Sequence, residues 1–470
     1  MIEFFGNHFL IFFIPVVIIA FFVYYAVPMR YRTVLLLILS YMFYAGMNLR
    51  YLLILFSVTL FSYVCVYMMD RYDPRRCILA GISLIILCLT GFRAWTFFGE
   101  GILAPIGLSF YSLEAISYMV DSYHGRIREK YSFVQYALYI SFFPTVMSGP
   151  IERAGNLLEQ IRTGTEFDYD RVSFGFKQIV YGYFCKVLVA NQCGMIVNNI
   201  LNGSLSEHAG FEYLVAFIFY GLQLYADFAG YSLIAIGAAS AFGFSLKPNF
   251  RQPYFAESIG DFWNRWHISL STWLRDYIYI PLGGNRKGKG RQLINLVITF
   301  LVSGLWHGAG LNFLVWGLLH AVYQIGSKLI SGQTAIGKPD SRRLPIRILR
   351  MVGTFIMVDF AWIFFRVSDL NSAVGMIARI FTDFHIVESI RSSGYMGGLS
   401  PVNFVILLVY IVIWLTVEAI HEHGICIDER LKLRSVRLCN VCYTLIWIAI
   451  TIGSIRVFGA DAGSFIYTRF

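Results

Sequence analysis

Long apolar runs separated by short polar clusters set the pattern of this chain. Phe9 to Pro28 runs 20 residues without a charge and Tyr51 to Met69 runs 19. Each is long enough to cross a hydrocarbon core of roughly 30 Å as a helix. Shorter runs recur at Val34–Met47, Ile78–Phe92, Phe133–Met147, Tyr213–Ala226, Leu293–Trp306, Leu311–Ser327, Met351–Phe365, Val402–Val417 and Asn440–Ile455. The pattern predicts an all-α polytopic membrane protein with about 11 transmembrane helices. Ile102–Val120, interrupted by Glu114, is a weaker addition. Several runs are short or contain glycine, and Asp359 interrupts one, so re-entrant or interfacial helices are expected beside the full spans.

Composition agrees: 57% of residues are hydrophobic and 14% charged, with a mean hydropathy of +0.62. Met1–His8 has no basic stretch and no small-residue cleavage site follows the first run, so that run reads as a retained span. Arg30 and Arg32 follow the first span, Arg71, Arg75 and Arg76 the third, and Arg126, Arg128 and Lys130 follow Ile102–Val120. The positive-inside rule makes these loops cytoplasmic and puts the N-terminus outside. The net charge of +10 therefore reflects orientation in an anionic membrane, with no nucleic-acid partner. Eight scattered cysteines read as small buried hydrophobes, and the lone pair Cys439 and Cys442 as packing residues. No polar segment, from Glu152–Arg171 to His421–Arg437, is long enough for an independent catalytic domain. Residues 1–470 are read as one membrane domain, with N-terminal helices over 1–130, a core over 131–330 and C-terminal helices over 331–470.

Two histidines carry the candidate chemistry. Ser258 and Asp261 have the spacing of a helix-start capping box, and Pro281 with Gly283-Gly284 supplies a stop. A helix of about twenty residues fits between them, with Trp263, Trp266, Leu270, Trp273, Leu274 and Tyr277 on one side and His267 among them. An interfacial amphipathic helix with a satisfied core histidine explains that pattern without function. His307, in Gly304-Leu-Trp-His-Gly308, stands at or near membrane depth, where ionisable side chains are rare and usually functional. A buried imidazole stays neutral, and a neutral imidazole is a usable general base. His320, thirteen residues on, would face nearly the opposite side of a continuous helix. No metal constellation, nucleophile elbow, P-loop or dinucleotide fingerprint is present.

Several ordered motifs together resemble the membrane-bound O-acyltransferases, in particular the bacterial branch of alginate O-acetylation and teichoic acid D-alanyl-transfer membrane proteins. They are Pro105–Ser112 through Asp121, Phe142-Phe-Pro144, Ser148–Ile151 with Arg153, Asp227–Ser232, Asp261–Gly284, Gly304–Gly308, Trp362–Arg366 and Phe465-Ile-Tyr467. The resemblance implies a ring of helices around a central tunnel in the cell (plasma or inner) membrane, with His307 catalytic and His267 as the second histidine. It implies transfer from a cytoplasmic thioester, acetyl-coenzyme A or an acyl carrier protein, to a hydroxyl on the outside. An extracytoplasmic acyltransferase- or esterase-like partner, polysaccharide machinery and membrane lipids are the implied surroundings. No bound cofactor or metal is expected.

Asp276–Asn285 with Arg286–Arg291 looks like the polysaccharide-acetylating members, whereas Ala226–Leu233 resembles the D-alanylating ones. The longer segment favours acetyl transfer to an exopolysaccharide or cell-wall glycan; D-alanyl transfer toward teichoic acid stays open. Trp306, Asn264, Arg265 and Asp227 are candidate substrate or tunnel residues; Asp227, Asp359 and Arg366 could be polar gates in the tunnel but read first as structural groups that pair internally. A transporter or flippase with a histidine proton relay is the alternative from another class.

Overall fold

The computed structural model describes residues 8–98, 105–331 and 344–457, and every regular element among them is helical. The Phe465–Tyr467 motif lies outside the described residues. The chain divides into two compact units, one of residues up to Ile179 with Ser232–Pro248, the other of Val180–Tyr231 with Asn249 onward.

The first unit begins with four long helices, α1 (His8–Ala26), α2 (Met29–Met47), α3 (Leu49–Met68) and α4 (Pro74–Phe98). The next, α5 (Leu108–Tyr123), is buried along almost its whole length, Glu114 included, so the weak run of the sequence is an interior helix. Helix α6 (Phe133–Ser141) starts at a capping box formed by Ser132 and Gln135. It ends after nine residues because Pro144 disfavours helical backbone at the residue before it. At about 1.5 Å per residue it is too short to span, which corrects the expected crossing over Phe133–Met147. Helix α7 (Ala154–Thr163) and the first part of α8 (Tyr169–Tyr183) complete the unit with the tail of a later helix. Arg32 donates to the Thr165 carbonyl (2.8 Å), Lys130 meets Asp70 (2.7 Å) and Arg162 approaches Glu129 (3.8 Å). The loops expected to be cytoplasmic thus meet at one end of this unit.

In the second unit α8 continues through a π-helical stretch, Phe184–Ala190, into α9 (Asn191–Leu201). The run Tyr169–Leu201 is long and apolar enough to cross a membrane, a span the hydropathy reading missed. Helix α10 (Gly210–Ala241) extends well beyond the expected Tyr213–Ala226. Lys186 on the π-helical stretch pairs with buried Asp227 on α10 at 2.5 Å. A buried carboxylate at membrane depth is tolerable only with such a partner.

Then come α11 (Ile259–Arg265), α12 (Ile268–Leu274), α13 (Lys289–His307), α14 (Leu311–Ser331) and α15 (Leu344–Arg366). Helices α16 (Leu370–Thr382), α17 (Ile386–Ser392), α18 (Pro401–Glu422), α19 (Ile427–Arg434) and α20 (Val436–Val457) follow. Asp369 and Ser400 cap α16 and α18 by accepting backbone N–H bonds. Seven helices among the described residues are long and apolar enough to cross a membrane. The protein is a multi-pass membrane protein, as its hydropathy indicates.

The single amphipathic helix expected between Ser258 and Pro281 is broken. Ser258 does cap α11 by accepting the Asp261 N–H (3.2 Å), but the Asp261 carboxylate accepts from Glu257 rather than closing the box. The break falls at Trp266–His267, and α12 runs into a second π-helical stretch, Arg275–Tyr279.

Candidate active site

His307 is the last residue of α13, and its surroundings follow from how α13 packs on α14. A Cβ on Gly304 would lie 2.3 Å from the Phe313 carbonyl oxygen, and one on Gly308 2.1 Å from the Phe313 ring. Only glycine permits this approach. The bracketing glycines therefore bring α14 against His307 and give it tight cover, so that it is 4% exposed. Its ring meets Trp306 (4.7 Å between centroids), Trp316 (5.0 Å) and Phe365 (5.0 Å).

His267 is held by the break itself. Its backbone is left-handed, φ 43° and ψ 53°, a conformation costing about 1–2 kcal/mol for an L residue. Asn249 compensates: its carbonyl accepts the Ile268 N–H (2.9 Å), and its side-chain Oδ1 accepts the Ser269 N–H (3.2 Å) and hydroxyl (2.9 Å). His267 Nδ1 stands 3.2 Å from the same Oδ1. An amide oxygen only accepts, so Nδ1 carries the proton and the ring lone pair sits on Nε2. This residue lies outside the candidate spans, and burial pushes its imidazole down to about 3. The ring packs edge-on against Phe228 (4.6 Å) and lies 6.2 Å from Trp306. Trp306 is therefore the ring common to both histidines.

The other sequence candidates take different places. Arg265 bonds Asp261 Oδ1 (2.9 Å) and Glu422 Oε2 (2.5 Å), bracing α11 against α18. Asn264 is on the exposed face of α11, and Asp227 holds the ion pair with Lys186. Arg366 donates to Asn198 (3.1 Å) and Asn202 (2.8 Å), while Asp359 is buried on the same helix. All eight cysteines are free thiols. No group of three or more His, Cys, Asp or Glu suited to a metal occurs among the described residues.

The sequence reading passed over three residues. Asn249 lies 18 positions before the histidine it orients. Trp316 drew no attention beside the two motif histidines, and His320 was set on the opposite side by treating the region as a continuous helix. The turn at Gly308–Gly310 reverses the chain instead. His320, fully buried, lies 5.0 Å from Trp316 and accepts a bond on Nδ1 from Trp263 Nε1 (3.3 Å). The arrangement sets His307 and a neutral His267 about one indole in an aromatic enclosure, a geometry suited to proton transfer.

Comparison with known proteins identifies the family. Residues 108–367 match the sequence model of MBOAT, the membrane-bound O-acyltransferase family. A probable alginate O-acetylase of Pseudomonas syringae pv. tomato is 34% identical over 426 residues, covering 85% of this chain and 79% of that protein. A peptidoglycan O-acetyltransferase of Helicobacter pylori is 30% identical over 413 residues, 78% of this chain and 77% of its own. The teichoic acid D-alanyltransferase of Bacillus subtilis is 28% identical over 235 residues, 47% of this chain and 58% of its own.

Proposed function

The chain belongs to the membrane-bound O-acyltransferase family, and from that premise we propose that it moves an acetyl group from a cytoplasmic thioester to hydroxyls of an extracytoplasmic polysaccharide or cell-wall glycan. The observation that carries the reading is the buried pair His307 and His267 about one shared indole, Trp306. Acyl transfer takes the place of the transport alternative, which needs no thioester.

His307 takes the proton of the acceptor hydroxyl as its oxygen attacks the thioester carbonyl. The C–O bond forms and the carbonyl pair moves onto oxygen. When the intermediate collapses the C–S bond breaks, and the imidazolium returns its proton to the leaving sulfur. His267 gives its Nδ1–H to Asn249, so its Nε2 accepts. It acts by orienting the hydroxyl or the His307 ring, and it does not donate to the developing oxyanion. The donor is acetyl-coenzyme A or an acyl carrier protein, and Arg286–Arg291 supplies positive charge where a phosphorylated arm would approach.

Acetyl is preferred over D-alanyl because the O-acetylating relatives align over most of this chain and the D-alanylating relative over less than half. The test is to supply membrane vesicles with radiolabelled acetyl-coenzyme A, release the esterified product with alkali and identify it. Labelled acetate supports the reading. D-Alanine released only when a D-alanyl thioester is supplied would replace acetyl by D-alanyl.

A further inference from the structure

An acyl transfer through a tetrahedral intermediate needs hydrogen-bond donors for the oxyanion, and removing one such donor typically costs about 10²–10³ in kcat. His267 does not fill that role, because its ring proton is engaged with Asn249. The donors must come from elsewhere around His307.

The buried polar atoms around that residue with no hydrogen-bond partner among the described residues include the Trp316 indole nitrogen, His320 Nε2 and the Ser303 hydroxyl. Ser303 is one turn before His307 on α13. The Trp316 ring lies 5.0 Å from both His307 and His320. The state of His320 follows from its neighbour. Trp263 Nε1–H donates to His320 Nδ1 (3.3 Å), so Nδ1 holds a lone pair and the proton of this neutral ring is on Nε2. Trp316 Nε1 carries a hydrogen in any state. Two N–H donors are thus buried in this cluster, that of Trp316 next to His307 and that of His320 one ring further on, with no acceptor among the described residues. Leaving such groups unsatisfied costs about 1–3 kcal/mol each. A stable fold keeps them together where water or a substrate oxygen supplies the acceptor.

We propose that the Trp316 Nε1–H and the His320 Nε2–H form the oxyanion hole of this enzyme, binding the thioester carbonyl oxygen as it takes up negative charge. The inference rests on the acyl-transfer reading above. It also explains a third histidine, His320, in an aromatic enclosure that a hydrocarbon side chain would fill at lower cost. The Trp263 bond fixes the His320 tautomer, and the stacked Trp316–Trp362 pair (5.8 Å) holds the indole plane.

Three variants of the full chain test it in vesicles supplied with radiolabelled acetyl-coenzyme A: Trp316→Phe, His320→Asn and His320→Gln. Asparagine keeps an acceptor for Trp263 but has no donor at the Nε2 position; glutamine loses the acceptor and keeps a donor there. A packing role ranks Asn at or above Gln, and a donor role ranks Gln above Asn. We expect Trp316→Phe and His320→Asn each to lower the rate at saturating donor by about 10²-fold or more, with little change in KM and with Gln recovering about tenfold over Asn. Trp316→Phe at wild-type rate, or Asn at or above Gln, overturns the inference while leaving the acyl-transfer reading standing. If wild type transfers no label from acetyl-coenzyme A or a D-alanyl thioester, both the reading and this inference fall.

Discussion

At the residue scale the account turns on which nitrogen of each histidine holds the proton. His307→Ala or His307→Gln should abolish transfer while leaving expression and the unfolding temperature in detergent near wild type; retained turnover would remove it from the mechanism. Asn249→Ala should release the His267 ring and lower the maximal rate, from about tenfold up to the roughly 10⁴-fold reached when a catalytic histidine takes the wrong tautomer. An unchanged rate would make Asn249 only a cap for α12. Because burial pushes His267 down to about 3, the ring gains a proton only below that value and stays neutral across roughly pH 5–8. His267→Gln should therefore lower the pH–rate curve without moving its acid limb, and a displaced limb would show that His267 titrates. His307 was legible as a candidate from one physical fact, an imidazole between apolar runs. Asn249 was not, because only the folded chain brings position 249 to position 267.

At the scale of elements, the α13–α14 pairing builds the candidate site around His307, and the break at Trp266–His267 sets the second histidine. Gly304→Ala should force α13 off the Phe313 carbonyl, lowering stability by about 1–3 kcal/mol and slowing transfer as His307 and Trp316 separate. A variant as stable and active as wild type would show that the close approach is dispensable. Asp227→Leu takes this carboxylate from the part-buried Lys186 ammonium, which should lower stability, and Lys186→Met with Asp227→Leu should recover most of the loss. Thermal unfolding in detergent measures both, and additive losses would deny the ion pair a structural role. The span over Tyr169–Leu201 escaped the hydropathy reading because Lys177 and Lys186 dilute it. The charge of Lys186 is offset by an aspartate 41 positions later. The break at His267 was hidden for a related reason: helical spacing on both sides fits one amphipathic helix, and nothing local in the sequence announces a left-handed residue there.

At the scale of the whole molecule, membrane character was the most legible property, since lipid imposes long apolar runs on any chain that crosses it. Orientation is an expectation drawn from the arginines alone. A single cysteine placed at Arg126 in a cysteine-free background should react with an impermeant maleimide from the cytoplasmic side alone; labelling from outside would invert the topology. Family membership rests on motifs spread along the chain, and those motifs place charged and polar residues at positions that membrane composition alone would leave apolar. The most direct measurement is transfer of radiolabel from acetyl-coenzyme A to alkali-labile glycan in vesicles carrying wild type or His307→Ala. The account requires label with wild type and none with His307→Ala. Equal label with both would contradict it.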